Sequence, residues 1–258
     1  MGGIFSKKQS KVTAYEPSIS TLYNKRTKKR QFISSAVGDI GGRPYQEDRH
    51  VILEDLELKF DHVKISSSLY VVIDGHGGKE CAEFVETNIA DIFCKQEEFR
   101  NCNYLNAFHL TFQELEEKWT VQARLKKKGY SSGACVLAAL IVEEGIYVAW
   151  VGDCRMVGYD SNDRKHIQII TADHKPTALI EKNRILSVGG TVRAVLQPGC
   201  FGEKEVGPKR VFPGGLAVSR SIGTIKSKKE SFGAILGAVI ATPDVAFIQL
   251  ENGIKWLI

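Results

Sequence analysis

The residues best suited to chemistry are carboxylates placed at the ends of apolar runs. Glu47 and Asp48 follow Arg43, Asp74 stands between the run Leu69–Ile73 and Gly75, and Asp153 stands in Val151-Gly152-Asp153-Cys154-Arg155. Hard divalent cations such as Mg2+ or Mn2+ take oxygen ligands, commonly one or two carboxylates plus retained waters, and this inventory suits them. Gly75 lets a backbone carbonyl approach a cation with no side chain in the way. His76, two positions after Asp74, is a residue type that can donate a proton, and an arginine such as Arg43 can grip a phosphate with two parallel donors. Each also has a plain structural reading: Asp before Gly is a common turn element, Glu47-Asp48 is equally a solvated pair, and a lone histidine is often only hydrogen-bonded.

Other chemistries fit less well. The six cysteines are scattered without a C-x-x-C spacing, and no H-E-x-x-H occurs, which argues against zinc. The glycines at Gly75–Gly78 are not followed by the Gly-Lys-Ser/Thr of a phosphate-binding loop. Thiols without a disulfide framework, in a chain with no secretory signal pattern, lead to the expectation of a reducing, cytoplasmic setting.

The elements that must position these residues can be read from hydrophobic periodicity. Strands are expected at Gln31–Gly38, His50–Leu53 and Leu69–Ile73. A helix with Ala82, Val85, Ile89 and Phe93 on one face is expected over Lys79–Cys94, and a second over Asn103–Lys128 with Phe108, Phe112, Leu115 and Trp119 facing a core. Ser132–Val142 and Gly145–Val151 read as a central hairpin. Further strands are expected at Arg155–Tyr159, His166–Ile170, Thr191–Leu196, Leu216–Val218 and Val245–Leu250, a short helix at Thr177–Ser187, and a surface loop at Gln197–Pro213. Runs of strands separated by blocks of helix favour an α+β antiparallel sandwich over a doubly wound parallel sheet.

The 258 residues carry 35 basic and 30 acidic side chains, a net charge of +5, with 43% apolar residues, as in ordinary globular domains. The charge is uneven. Residues 1–30 hold Lys7, Lys8, Lys11, Lys25, Arg26, Lys28, Lys29 and Arg30 against the single acid Glu16, so the rest of the chain is slightly acidic. A basic face for nucleic acid is therefore not expected on the folded part, which should begin near residue 31. The opening Met1-Gly2-Gly3-Ile4-Phe5-Ser6 fits N-myristoylation of Gly2, and one acyl chain beside a polybasic segment can hold a protein on an anionic membrane surface. The tail thus predicts a peripheral protein on the cytoplasmic face of a membrane. No coiled-coil pattern is present, and a monomer is expected.

Taken in order, several segments resemble the type 2C metal-dependent protein serine/threonine phosphatases. Gly42-Arg43-Pro44-Tyr45-Gln46-Glu47-Asp48 is similar to that family's phosphate-binding arginine followed by a Glu-Asp pair, and Val71-Val72-Ile73-Asp74-Gly75-His76-Gly77-Gly78 to its metal motif. Ser132-Gly133-Ala134-Cys135, Gly152-Asp153-Cys154-Arg155, Thr171-Ala172-Asp173-His174-Lys175-Pro176, Glu181 with Arg184-Ile185, Gly189-Gly190 and Leu216-Ala217-Val218-Ser219-Arg220 continue the resemblance, which covers residues 31–258.

The resemblance implies a four-layer α-β-β-α sandwich and hydrolysis of phosphoserine or phosphothreonine on proteins by a metal-activated water. It implies that Asp74 bridges two cations, Gly75 offers its carbonyl, Glu47 ligates one cation, Asp48 acts through water and Asp153 serves an outer position. Arg43 would then hold the phosphate and His76 would protonate the leaving oxygen. Where the family follows its Ser-Arg motif with Gly-Asp, this sequence has Ser221-Ile222-Gly223-Thr224. The strand leading to the family's second Asp-Gly motif coincides with Ile254–Ile258, so the expectation is a domain incomplete at its C-terminus, with one cation shell present and a second cation held weakly. The alternative reading is a catalytically silent phosphatase-like binding or regulatory module at the membrane.

Overall fold

The computed structural model describes residues 34–63, 65–160, 167–199, 202–249 and 254–257. The chain divides into two compact units, 1–46 and 47–258. In the first, the described residues 34–46 carry no strand or helix. The strand expected at Gln31–Gly38 is therefore not formed over 34–38, where Val37 is almost fully exposed and has no sheet to pack on; residues 31–33 and the tail with Gly2 lie outside the described residues.

The second unit is built on a six-stranded antiparallel sheet. Strands β1 (Arg49–Leu53), β2 (Ser68–His76), β3 (Gly133–Ile141) and β4 (Gly145–Val151) lie side by side, each antiparallel to the next. A short helix, α1 (Leu56–Lys59), lies between β1 and β2. β3 is buried at all nine positions, so it reads as a continuous apolar run, as a central strand covered on both faces must. Leu69, Val71 and Ile73 of β2 and Val136, Ala138 and Leu140 of β3 face α2 (Glu80–Lys95), α3 (Glu97–Arg100) and α4 (Tyr104–Lys126). There Phe93 stacks on Phe108 with ring centroids 4.3 Å apart. The alternate residues Tyr70, Leu137, Ala139, Val148 and Trp150 form a second core with Met156. The period of two thus supplies both layers from one sheet.

Beyond the hairpin, β5 (Val157–Asp160) and β6 (Ile167–Ile169) form a second sheet. α5 (Leu179–Ser187) precedes β7 (Thr191–Gly199) and β8 (Gly202–Phe212), which make a separate antiparallel ribbon. β9 (Ile222–Gly223) pairs with the start of β3, β10 (Asp244–Gln249) pairs with β4, and β11 (Ile254–Leu257) pairs with β5. The expected α+β class, with antiparallel sheets and flanking helices, is the observed one.

Two readings are corrected. Gln197–Pro213 is not a loop but most of the β7–β8 ribbon; β8 is exposed over Gly202–Pro208, so the sequence carries no apolar alternation to mark it. Leu216–Val218 is not a strand: Leu216 makes only an isolated bridge to Val211. The chain there is tied instead by Ser219, whose amide donates to the His174 carbonyl at 2.8 Å.

Candidate metal centre

The acids gather at one end of the main sheet because the ladder brings them there. Asp74 lies in β2, directly across from Cys135 of β3, and Asp153 follows β4 after a single glycine. Ligand atoms of Asp74, Cys135 and Asp153 all lie within 4.8 Å of one another. The Cys135 thiol donates to Asp153 Oδ1 at 3.3 Å.

Glu47 reaches the same corner through its backbone. A Cβ on Gly75 would run into the Glu47 carbonyl oxygen, so only glycine lets the Glu47 segment cross β2 at this point. The crossing is fastened by the Gly78 amide, which donates to Glu47 Oε1 at 2.7 Å. Asp48 is close enough to act on Asp74 electrostatically. Glu47, Asp48, Asp74, Gly75 and Asp153 are therefore brought together. Arg43 belongs to the first compact unit, where its amide donates to the Ile40 carbonyl at 3.2 Å and its side chain is exposed.

Crowding shows in the electrostatics. Partial burial, then the charges of Asp48 and Asp153, push the Asp74 carboxyl up to about 6, against a smaller opposing pull from Lys175. Carboxylates that repel one another in this way are relieved by a cation. The oxygen-rich set, with one buried thiol beside it, fits a hard divalent ion such as Mg2+ or Mn2+.

Three residues of the site escape sequence reasoning. Lys175 places its ammonium on Asp153 Oδ2, and Cys135 is brought in by strand register alone. The third is Thr224, whose hydroxyl lies 2.9 Å from His76 Nε2. Burial, with the Lys228 ammonium second, lowers the His76 pKa to about 4, Asp153 opposing.

A buried network fixes the turn that carries Asp153. The Gly152 amide donates to His174 Nδ1 at 3.1 Å, and the His174 amide donates back to the Gly152 carbonyl at 2.8 Å. With Nδ1 accepting, Nε2 carries the hydrogen and points it to Asp244 Oδ2 at 3.1 Å. Arg220 bridges Asp244 and the buried Glu181, which also contacts Arg184 and Ser219. Sequence reading found Glu181, Arg184 and Arg220 as motif members, but their mutual contact is a property of the fold.

The family model for protein phosphatase 2C matches residues 41–258. The chain belongs to the protein phosphatase 2C family. It is 31% identical over 227 residues to probable protein phosphatase 2C 54 of Oryza sativa subsp. japonica, covering 85% of this chain and 55% of that protein. It is 32% identical over 222 residues to probable protein phosphatase 2C 14 of Arabidopsis thaliana, covering 84% and 42%. The chain thus spans about half the length of the curated relatives it matches. The fold is shared with the serine-threonine phosphatase 2C from Toxoplasma gondii (TM-score 0.65, 18% identity, 84% of this chain and 73% of that one). A C. elegans sex determining protein shares it too (TM-score 0.67, 19% identity, covering 84% and 48%). The acid cluster lies within the matched residues 41–258.

Proposed function

We propose that the chain is a metal-dependent protein serine/threonine phosphatase acting on phosphorylated proteins. The observation that carries the proposal is the convergence of Asp74 and Asp153 at the sheet end, with Glu47 and Asp48 beside them, in a chain of this family. Glu47, Asp74 and the Gly75 carbonyl would hold Mg2+ or Mn2+, with Asp48 acting through water and Asp153 in an outer position. When bound, such cations lower the pKa of water and stabilise charge on phosphoryl oxygens.

The remaining work falls to the protein. By the family resemblance Arg43 would grip the phosphate, keeping the phosphorus in line for a water oxygen. A new phosphorus–oxygen bond forms to that water, the bond to the serine or threonine oxygen breaks, and the leaving oxygen takes up a proton. His76, on the same face of β2 as Asp74, supplies it. Burial and Lys228 keep its ring neutral in the resting protein, and the negative phosphate of a bound substrate opposes both effects and favours the protonated ring.

The N-terminal tail, with Gly2 acylated and its basic cluster against anionic lipid, would place this activity on the cytoplasmic face of a membrane as a peripheral monomer. No helix among the described residues is long and apolar enough to cross a bilayer.

The test is phosphate release from a phosphothreonine peptide by residues 1–258 with Mn2+, beside Asp74→Asn. Metal-dependent turnover lost in the variant is expected; turnover that survives in Asp74→Asn or proceeds equally in EDTA overturns the assignment.

A further inference from the structure

Thr224 is out of place by local preference. Its φ of 51° and ψ of 47° lie in the left-handed region, where a β-branched residue is an outlier. It is buried, and its amide donates to the Ser132 carbonyl at 2.8 Å. A strained backbone at a functional corner calls for a reason in the side chain.

The side chain supplies one. Oγ1 lies 2.9 Å from His76 Nε2 and 3.2 Å from the Ser221 hydroxyl. The neighbouring backbone is shaped around this contact: a Cβ on Gly133 would collide with Thr224 Oγ1 and come within 2.6 Å of His76 Nε2. Gly133 is thus required for the pair to meet. Ser221 is held in turn by Lys228, whose ammonium donates to its carbonyl at 2.6 Å and to Glu116 at 2.8 Å.

We infer that Thr224 is a positioning residue for His76: its hydroxyl engages Nε2, fixes the ring in one tautomer and one orientation, and leaves Nδ1 as the nitrogen that meets the leaving oxygen of the substrate. The inference rests on the phosphatase reading for its catalytic meaning, whereas the clamp itself is a contact between two side chains of the protein. With Ser221 donating to Oγ1 and the Thr224 hydroxyl donating to Nε2, the ring hydrogen sits on Nδ1, the nitrogen left for the substrate. A rotating or tautomer-averaged ring would present the wrong nitrogen for part of the time, and general acid catalysis by a placed side chain contributes about 10²–10⁴-fold.

The experiment reads the ring directly. In 15N-labelled, metal-free protein, long-range 1H–15N spectra resolve the imidazole nitrogens, with His76 assigned by its loss in His76→Gln. The wild type is expected to show two widely separated His76 nitrogen shifts, the sign of a single tautomer. Thr224→Ser should retain them. Thr224→Val keeps the β-branch and the shape but not the hydroxyl, and should move both shifts toward an averaged value. Thr224→Gly drops the hydroxyl while relieving the backbone, and gives the same result should the valine variant not fold. With Mn2+ and p-nitrophenyl phosphate, kcat should fall roughly tenfold in Thr224→Val, KM should stay within about twofold, and serine should restore most of the rate. Unchanged His76 shifts in both hydroxyl-less variants overturn the clamp. A chain with no turnover in any form leaves the spectra as the deciding readout and counts against the phosphatase reading alone.

Discussion

Lys175 lays its ammonium on the carboxylate of Asp153, so the acid cluster already contains a cation supplied by the chain itself. The lysine is half exposed, whereas Asp153 is mostly covered. Its charge also lowers the Asp74 pKa against the burial and carboxylates that raise it.

Removing this charge should therefore help a metal. Lys175→Met leaves Asp153 without its ion-pair partner beside Asp74, and the more negative site should bind Mn2+ roughly three- to tenfold tighter, as expected for losing one positive charge at short range in a partly solvated setting. Isothermal titration calorimetry on the two proteins checks this. Weaker binding in the variant would show that Lys175 organises Asp153 for the metal rather than competing with it.

Gly75→Ala tests the crossing of β2 by the Glu47 segment. The added methyl meets the Glu47 carbonyl, which is backbone and cannot rotate away. The segment must shift, carrying Glu47 and Asp48 off Asp74. Mn2+ affinity should fall at least tenfold, with a loss of about 1–3 kcal/mol in denaturant stability from overpacking. The core residues Val71 and Ile73 on the same strand stay in place, so circular dichroism should remain that of a folded protein.

Glu181 and Asp244 give the fold a defined acid limit. Burial works against ionising Glu181, yet hydrogen bonds from Arg220, Ser219 and Arg184 outweigh it and hold its carboxyl at about 2. Asp244 is held at about 2 chiefly by its hydrogen bond from His174, with burial opposing and Arg220 assisting. Both folded values lie below the ordinary 4.5 and 3.8. Their stabilisation is thus complete above pH 4.5 and is lost as pH falls toward 2. Thermal melts from pH 6 to 2 should show a steep drop in that window. Glu181→Gln should flatten the drop and lower stability at pH 7 by about 3 kcal/mol, since it leaves Arg220 and Arg184 without their buried partner.

Much of this was legible in the sequence, for reasons that particular elements make plain. β2 and β3 alternate or run apolar because the sheet is covered on both faces, and α2 and α4 show helical spacing because each buries one face. Asp74 and Asp153 stood out as acids next to glycine at the ends of such strands. β8 was not legible, because its first seven residues are exposed in succession and display no apolar period. Cys135, Lys175 and Thr224 were not legible as site residues either. Cys135 reaches Asp74 only through strand register, and Thr224 meets His76 across 148 positions of sequence. Nothing local in the chain encodes such meetings.

The central claim is that the corner formed by Glu47, Asp48, Asp74 and Asp153 is a divalent-cation site. The most direct measurement is a calorimetric Mn2+ titration of residues 1–258 beside Asp74→Asn at pH 7. One tight site in the wild type, lost in the variant while the protein remains folded, is the predicted result. No binding, or binding of equal strength in both proteins, would contradict it.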